Sequence, residues 1–187
     1  MKTFLIIFGL VLNFAAQAQE IPEVAMASGR ALEKVQIIEV TPKGVMVKHT
    51  RGKGLVEFSA FTKDGIIQAG GADLWAPAPP RGNGKLGEPG DITQARKSLA
   101  ADLKKLPTET KAAHDARVHS AVIVLDTEMK QAITQHKELI KKADAEDKEG
   151  IDSTATRKEA SHQLGIALAC GFGYAQKTAE AKETAGK

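Results

Sequence analysis

Histidine, cysteine and carboxylate side chains carry most protein chemistry, and here their spacing argues against a preformed site. The 187 residues contain five histidines. His114 and His119 stand five apart, about 140° around a helix, so they do not share one metal-binding face. H-E-x-x-H is absent, and Cys170 is the sole cysteine, so no thiolate cluster can form. No metal or other cofactor is expected. Cys170 lacks a base-and-orienter pattern beside it, and G-x-S-x-G does not occur. It reads as a buried small side chain, with a bridge between chains as the alternative. The run from Asp144 to Glu149 is rich in carboxylates and is followed by Gly150. In a calcium loop with glycine sixth, the first ligand would be Ala145, which has no side-chain oxygen. A solvated helix end is the better reading. Gly82-Asn83-Gly84-Lys85-Leu86-Gly87 spells G-x-G-x-x-G. A pyrophosphate cradle needs a strand before the motif and a helix start after it, whereas Pro79-Pro80 precede it here. It is expected to be linker. No catalytic residues are therefore assigned.

Basic residues give the remaining signal. Lys43, Lys48, Arg51 and Lys53 fall on predicted hairpins, and residues 35–63 carry five basic side chains against Glu39 and Glu57. Small barrels bind polyanions through such charge combined with aromatic stacking. Phe58 and Phe61 are the only aromatics nearby, and both fit a core. A charged edge that discourages strand-to-strand pairing is the structural reading of the same residues.

Those hairpins come from a segment that reads as strands. Val24–Ala27 is a short run ended by Ser28-Gly29, and Val35, Ile37, Ile38 and Val40 give the next its β-branched character. Pro42-Lys43-Gly44 makes a turn, with Pro presetting φ. Val45, Val47 and His49 alternate with Met46, Lys48 and Thr50 before Arg51-Gly52-Lys53-Gly54 turns the chain again. Leu55–Phe58 returns, and Ile66-Ile67 is expected to add a last short strand. Four or five short strands with tight turns suggest a meander curled into a barrel. The pattern Val35-x-Ile37-x-x-Val40, Pro42-x-Gly44-Val45-x-Val47-x-His49-x-x-Gly52 and Val56-x-Phe58 resembles a small SH3-like β-barrel module, recurrent near the N-terminus of secreted bacterial proteins of unassigned function. The resemblance covers residues 23–68, departs from the pattern at Phe61 where a Leu-Pro pair is common, and implies a fold without catalytic residues.

Residues 70–90 hold Pro77, Pro79, Pro80 and Pro89 with six glycines, a semi-rigid linker by composition, with Trp75 able to pin it to a neighbour. Asp91 and Gln94 have capping-box spacing, and Ile92, Ala95, Leu99, Leu103 and Leu106 form an amphipathic stripe up to Pro107. Thr108 is the expected cap of a second helix reaching about Lys148. Along it Val118, Val122, Leu125, Met129, Ala132, His136, Leu139 and Ala143 recur in alternating steps of four and three, a heptad seam. His136 on that seam reads as a register-setting polar residue, or as a pH-sensitive joint. Asp152 or Ser153 should cap a third helix, weakened by Gly165, Gly171 and Gly173, with a frayed tail after Thr178.

At the amino end, Lys2, the apolar run Phe4–Val11 and Ala16-Gln17-Ala18 form a signal-peptide pattern. The expectation is an exported α+β protein of the periplasm or extracellular space, without a stable membrane span after cleavage. It comprises a signal peptide (1–18), a small SH3-like β-barrel (19–69), a Pro/Gly linker (70–90) and a long helical hairpin or three-helix bundle (91–187). Its expected role is non-catalytic interaction or assembly, with the seam serving self-association or a protein partner. The alternative is polyanion binding through Lys43, Lys48, Arg51 and Lys53.

Overall fold

The computed structural model describes residues 20–77, 90–104 and 106–185, the side chains at 90, 91, 184 and 185 excepted. The proposed signal peptide and the G-x-G-x-x-G stretch lie outside these residues.

Four strands, β1 (Ile21–Ala25), β2 (Ala31–Thr41), β3 (Gly44–His49) and β4 (Gly52–Val56), form one antiparallel sheet in sequence order. The turn after β1 uses Gly29 at φ 75°, where a side chain would be strained. Lys34 also has a positive φ, 52°, and divides β2 into a part paired with β1 and a part paired with β3. A second irregularity lies between Ile37 and Glu39. These breaks bend the sheet, yet it does not close as the barrel expectation required. After a 3-10 turn at Phe58–Ala60, the chain returns to the end of β1 through one antiparallel bridge, Met26–Phe61. Among the described residues, strand β4 pairs with β3 alone.

Ile66 and Ile67 belong to a helix, α1 (Lys63–Gln68), and not to a fifth strand. Thr62 decides this locally: its hydroxyl accepts the Gly65 N–H at 2.9 Å and donates to Ala25 O at 3.2 Å. Helix α1 thereby covers the outer side of β1, where Gln68 Oε1 accepts the Ala25 N–H at 3.0 Å.

Three more helices follow: α2 (Gly90–Ala100), α3 (Lys111–Lys148) and α4 (Thr154–Ala185). Helix α3 is about 57 Å long at 1.5 Å per residue. Its cap is Thr110 rather than Thr108, the Thr110 hydroxyl accepting the Ala113 N–H at 3.2 Å. The cap moves because residues 101–104 and 106–110 are held in a non-helical connection by α3 itself. Arg117 donates to the carbonyls of Asp102 and Lys104 and forks onto both oxygens of Glu109, each at 3.0 Å. That fork holds the Glu109 carboxyl down at about 2, and the neighbouring Leu106 N–H adds to it. Inside the same connection Leu103 is buried, and its carbonyl meets His114 Nε2 at 2.8 Å. Helix α4 continues past Thr178 to Ala185.

Helices α3 and α4 pack antiparallel, and α4 is the hub of the molecule. Its residues from Gly165 to Gly171 are all buried, the mark of a helix covered on every side. The glycines there permit contact with three different elements. Gly165 O accepts the Ala72 N–H at 2.8 Å; Gly171 lies under the Phe58 ring; Gly173 lies under Leu99. Of the expected linker, residues 71–77 are packed. Leu74 is buried, Trp75 meets Phe172 edge-on at 5.8 Å, and Arg96 of α2 donates to Asp73 O and Ala76 O. Buried side chains of the sheet, this connection and the helices form one apolar cluster.

Candidate functional site

The basic residues marked in the sequence separate into one group and one outlier. A two-residue loop, Thr50-Arg51, joins β3 to β4, and the register pairs Lys48 with Lys53 and His49 with Gly52. Opposed residues of an antiparallel pair share a face, so Lys48 and Lys53 project together from the sheet. Arg51 sits beyond them at the turn, where its N–H donates to His49 Nδ1 at 3.3 Å. All three are exposed. Lys43 occupies the turn at the other end of β3, roughly 15–20 Å away at strand rise.

The same face carries apolar surface. Met46 opposes Leu55, and Leu55 is 46 % exposed; Ile38, at the β2 irregularity, is 47 % exposed. Glu39 pairs with Met46 across β2–β3, and its carboxylate accepts from Lys137 of α3 at 2.8 Å. Hydrogen bonding and charge from Lys137, with a smaller share from Lys53, lower its pKa. This carboxylate is thus already engaged beside the lysine pair. Leu55 and Ile38 were legible only as generic strand residues. Alternation puts Leu55 opposite in face to Val56, which is the signal that could have exposed it.

The helical seam is placed differently from its expected role. Leu125, Met129, Ala132 and Ala143 are buried, while Val118, Val122, His136 and Leu139 are half-buried. Helix α4 of the same chain covers them, because a turn of a few residues returns it along α3. His136 Nδ1 lies 2.8 Å from Ala160 O on α4, a contact that fixes the relative register of the two helices. The surface expected to receive a partner is therefore covered over its central positions.

The other candidates resolve into structural parts. Cys170 is fully buried, and desolvation, helped by the charge of Glu128, pushes its thiol up to about 12, far from a reactive thiolate. Asp144 and Asp147 accept from Arg157 at 3.0 and 2.5 Å, and Asp152 Oδ1 accepts the Thr154 N–H at 2.9 Å. The acidic run thus builds the α3–α4 corner. Among the described residues no group of three or more His, Cys, Asp or Glu side chains converges as a metal site, and no helix is long and apolar enough to cross a membrane. An open groove of about 380 Å³ between α3 and α4 is lined by Gln135, Glu138, Leu139, Lys142, Glu159 and Gln163. It mixes both charges with amides and offers no concentrated chemistry.

Neither a family model, nor a curated protein, nor a solved structure matches this chain.

Proposed function

We propose that this is an exported, non-catalytic binding protein that holds an anionic partner on the β3–β4 face of an SH3-like sheet. The observation that carries this is the Lys48–Lys53 pair. Like charges set directly opposite one another destabilise a sheet, and Arg51 adds a third at the turn. An anionic partner relieves that repulsion, whereas the nearby Glu39 carboxylate is already held by Lys137. The helices supply the platform: α4 anchors the sheet through Phe58, and Lys137 of α3 neutralises Glu39 on the binding face. The return bridge at Met26–Phe61, which brings the chain back to β1, supports the SH3-like reading of a sheet that stays open.

The test is titration of the mature chain with poly-glutamate and with polyphosphate at several salt concentrations. Affinity should fall steeply with salt, since the contact is ionic. Charge reversal at Lys48, Arg51 and Lys53 should abolish binding, and Lys43→Glu should leave it nearly unchanged. Loss of binding with Lys43→Glu alone would move the site to the opposite turn.

A second reading retains α3 as an association surface, because Val118 and Val122 stay half-buried and Ile123 is 47 % exposed after α4 is in place. Sedimentation of the mature chain distinguishes it: an oligomer dissolved by Ile123→Asp would favour association through α3.

A further inference from the structure

The two edges of the sheet are treated differently. Strand β1 is covered at its outer side, where Ala25 is bonded by Gln68 and Thr62 and Ala27 just beyond it donates to Ala60 O. Strand β4 has no such cover; its guard is charge, with Lys53, Lys48 and Arg51 deterring a basic strand but not an acidic one. A two-residue loop forces His49 and Gly52 to be a hydrogen-bonded pair, and bonding then alternates along the ladder. Gly52, Gly54 and Val56 face β3, so Lys53 and Leu55 turn their N–H and C=O groups outward. Among the described residues no hydrogen bond from another element reaches them.

Gly54 adds a second observation. Its φ is not in the left-handed region, and a Cβ there would meet nothing within 4 Å. The chain's own conformation and packing do not require glycine at this position, in contrast to Gly65, Gly71, Gly165, Gly171 and Gly173, where a Cβ would collide. Glycine inside a strand marks bulges, tight bends, or places where a ligand or another backbone approaches closely, and β4 shows no register shift at Gly54. The Gly54 side of β4 is open space next to an unpaired edge.

We propose that β4 receives an extended acidic segment of a partner polypeptide, which adds to the sheet as a further strand. This rests on the anionic-partner reading and names the partner's class. The backbone of Lys53 and Leu55 supplies the hydrogen bonds, and side chains supply the selectivity. An acidic residue of the incoming strand lies against Lys53 and Lys48, and an apolar residue two positions along lies against Leu55 and Met46. Its alternate side chains enter the space beside Gly54. A second copy of β4 fits less well, because it would bring another Lys48, Arg51 and Lys53 onto the first set.

The experiment compares a peptide of alternating Glu and Val with polyphosphate of equal charge, both added to the full chain, while amide hydrogen exchange is followed. The peptide should protect the Lys53 and Leu55 amides and bind at least about tenfold tighter than polyphosphate. Gly54→Val should keep the fold, since the space is open, and weaken the peptide about tenfold while leaving polyphosphate unchanged. Lys53→Pro, which removes one outward N–H at a position where an edge tolerates proline, should weaken the peptide alone beyond the loss seen with Lys53→Ala. Equal binding of both probes without amide protection would overturn strand addition and keep the anionic-partner reading. Absence of binding by either probe would overturn both. A dimer joined through β4 would replace the acidic segment with a second copy.

Discussion

Glycine is used in opposite ways in helix α4 and strand β4. In α4, Gly165, Gly171 and Gly173 lie against the backbone near Ala72, the ring of Phe58 and the side chain of Leu99, so each absent Cβ is replaced by an atom of another element. In β4, Gly54 has nothing within 4 Å of the position a Cβ would take, whereas Gly52 is set by its turn at φ 132°, where a side chain would be strained. The first use closes gaps and the second leaves them. Interiors tolerate few voids, so the filled gaps belong to stability. The unfilled gap at Gly54 lies beside unpaired backbone, where the proposed strand would enter.

The sharpest way to break this contrast is at the filled end. Leu125 is completely buried between α3 and α4, so Leu125→Ala should cost about 2–5 kcal/mol, a large part of a total of order 5–15 kcal/mol. Gln131→Ala on the exposed side of α3 should leave the thermal midpoint nearly unchanged. Equal midpoints for the two variants would mean that the seam does not carry the hairpin.

A matched pair of glycine substitutions tests the contrast itself. Gly171→Ala drives a methyl into the Phe58 ring and should cost about 1–3 kcal/mol. Gly54→Ala should be neutral or stabilising by up to about 1 kcal/mol, because alanine restricts the unfolded chain and meets open space. Similar losses at both sites, measured by denaturant unfolding, would erase the distinction between interior and edge.

The smallest effect concerns the connection between α2 and α3. Arg117 and the Leu106 N–H stabilise the charged form of Glu109, whose carboxyl is held at about 2 against an ordinary value of 4.5. A folded-state value below the unfolded one stabilises the protein at pH above 4.5, and this contribution fades as pH falls towards 2. The midpoint difference between the wild-type chain and Glu109→Gln should therefore be widest near neutrality and shrink across that window. A difference independent of pH would show that Glu109 acts through packing and not through its charge.

Local signals were readable and tertiary ones were not. The four strands and three long helices follow from β-branched runs, turn residues and apolar period, all of which act within a few residues. Ile66-Ile67 has no period long enough to separate strand from helix, and the cap at Thr62 settled it. Pro107 marked the break before α3 but could not reveal that Arg117 reaches back to fix the connection. The seam announced that a helix must cover Leu125 and Met129; its spacing carries no information on whether that helix comes from the same chain. Gly171 and Gly173 registered as weak helix formers because propensity ignores what lies above them. For the candidate site, alternation placed Lys48 and Lys53 near one another, but grouping Lys43 with them ignored the length of β3. The openness of β4 was beyond sequence reasoning, because an edge is defined by which strands are absent beside it.

The unequal edges also set a limit on stoichiometry. With the outer side of β1 engaged at Ala25 by Gln68 and Thr62, growth of the sheet is directed outward from β4. A single added strand consumes that direction. Two chains meeting through β4 would form a closed pair with no free edge to continue, since head-to-tail stacking needs a receptive surface at both ends. On the proposed strand addition, the molecule would take one strand without becoming the seed of a fibre, and crowding at high local concentration should yield capped complexes of fixed size.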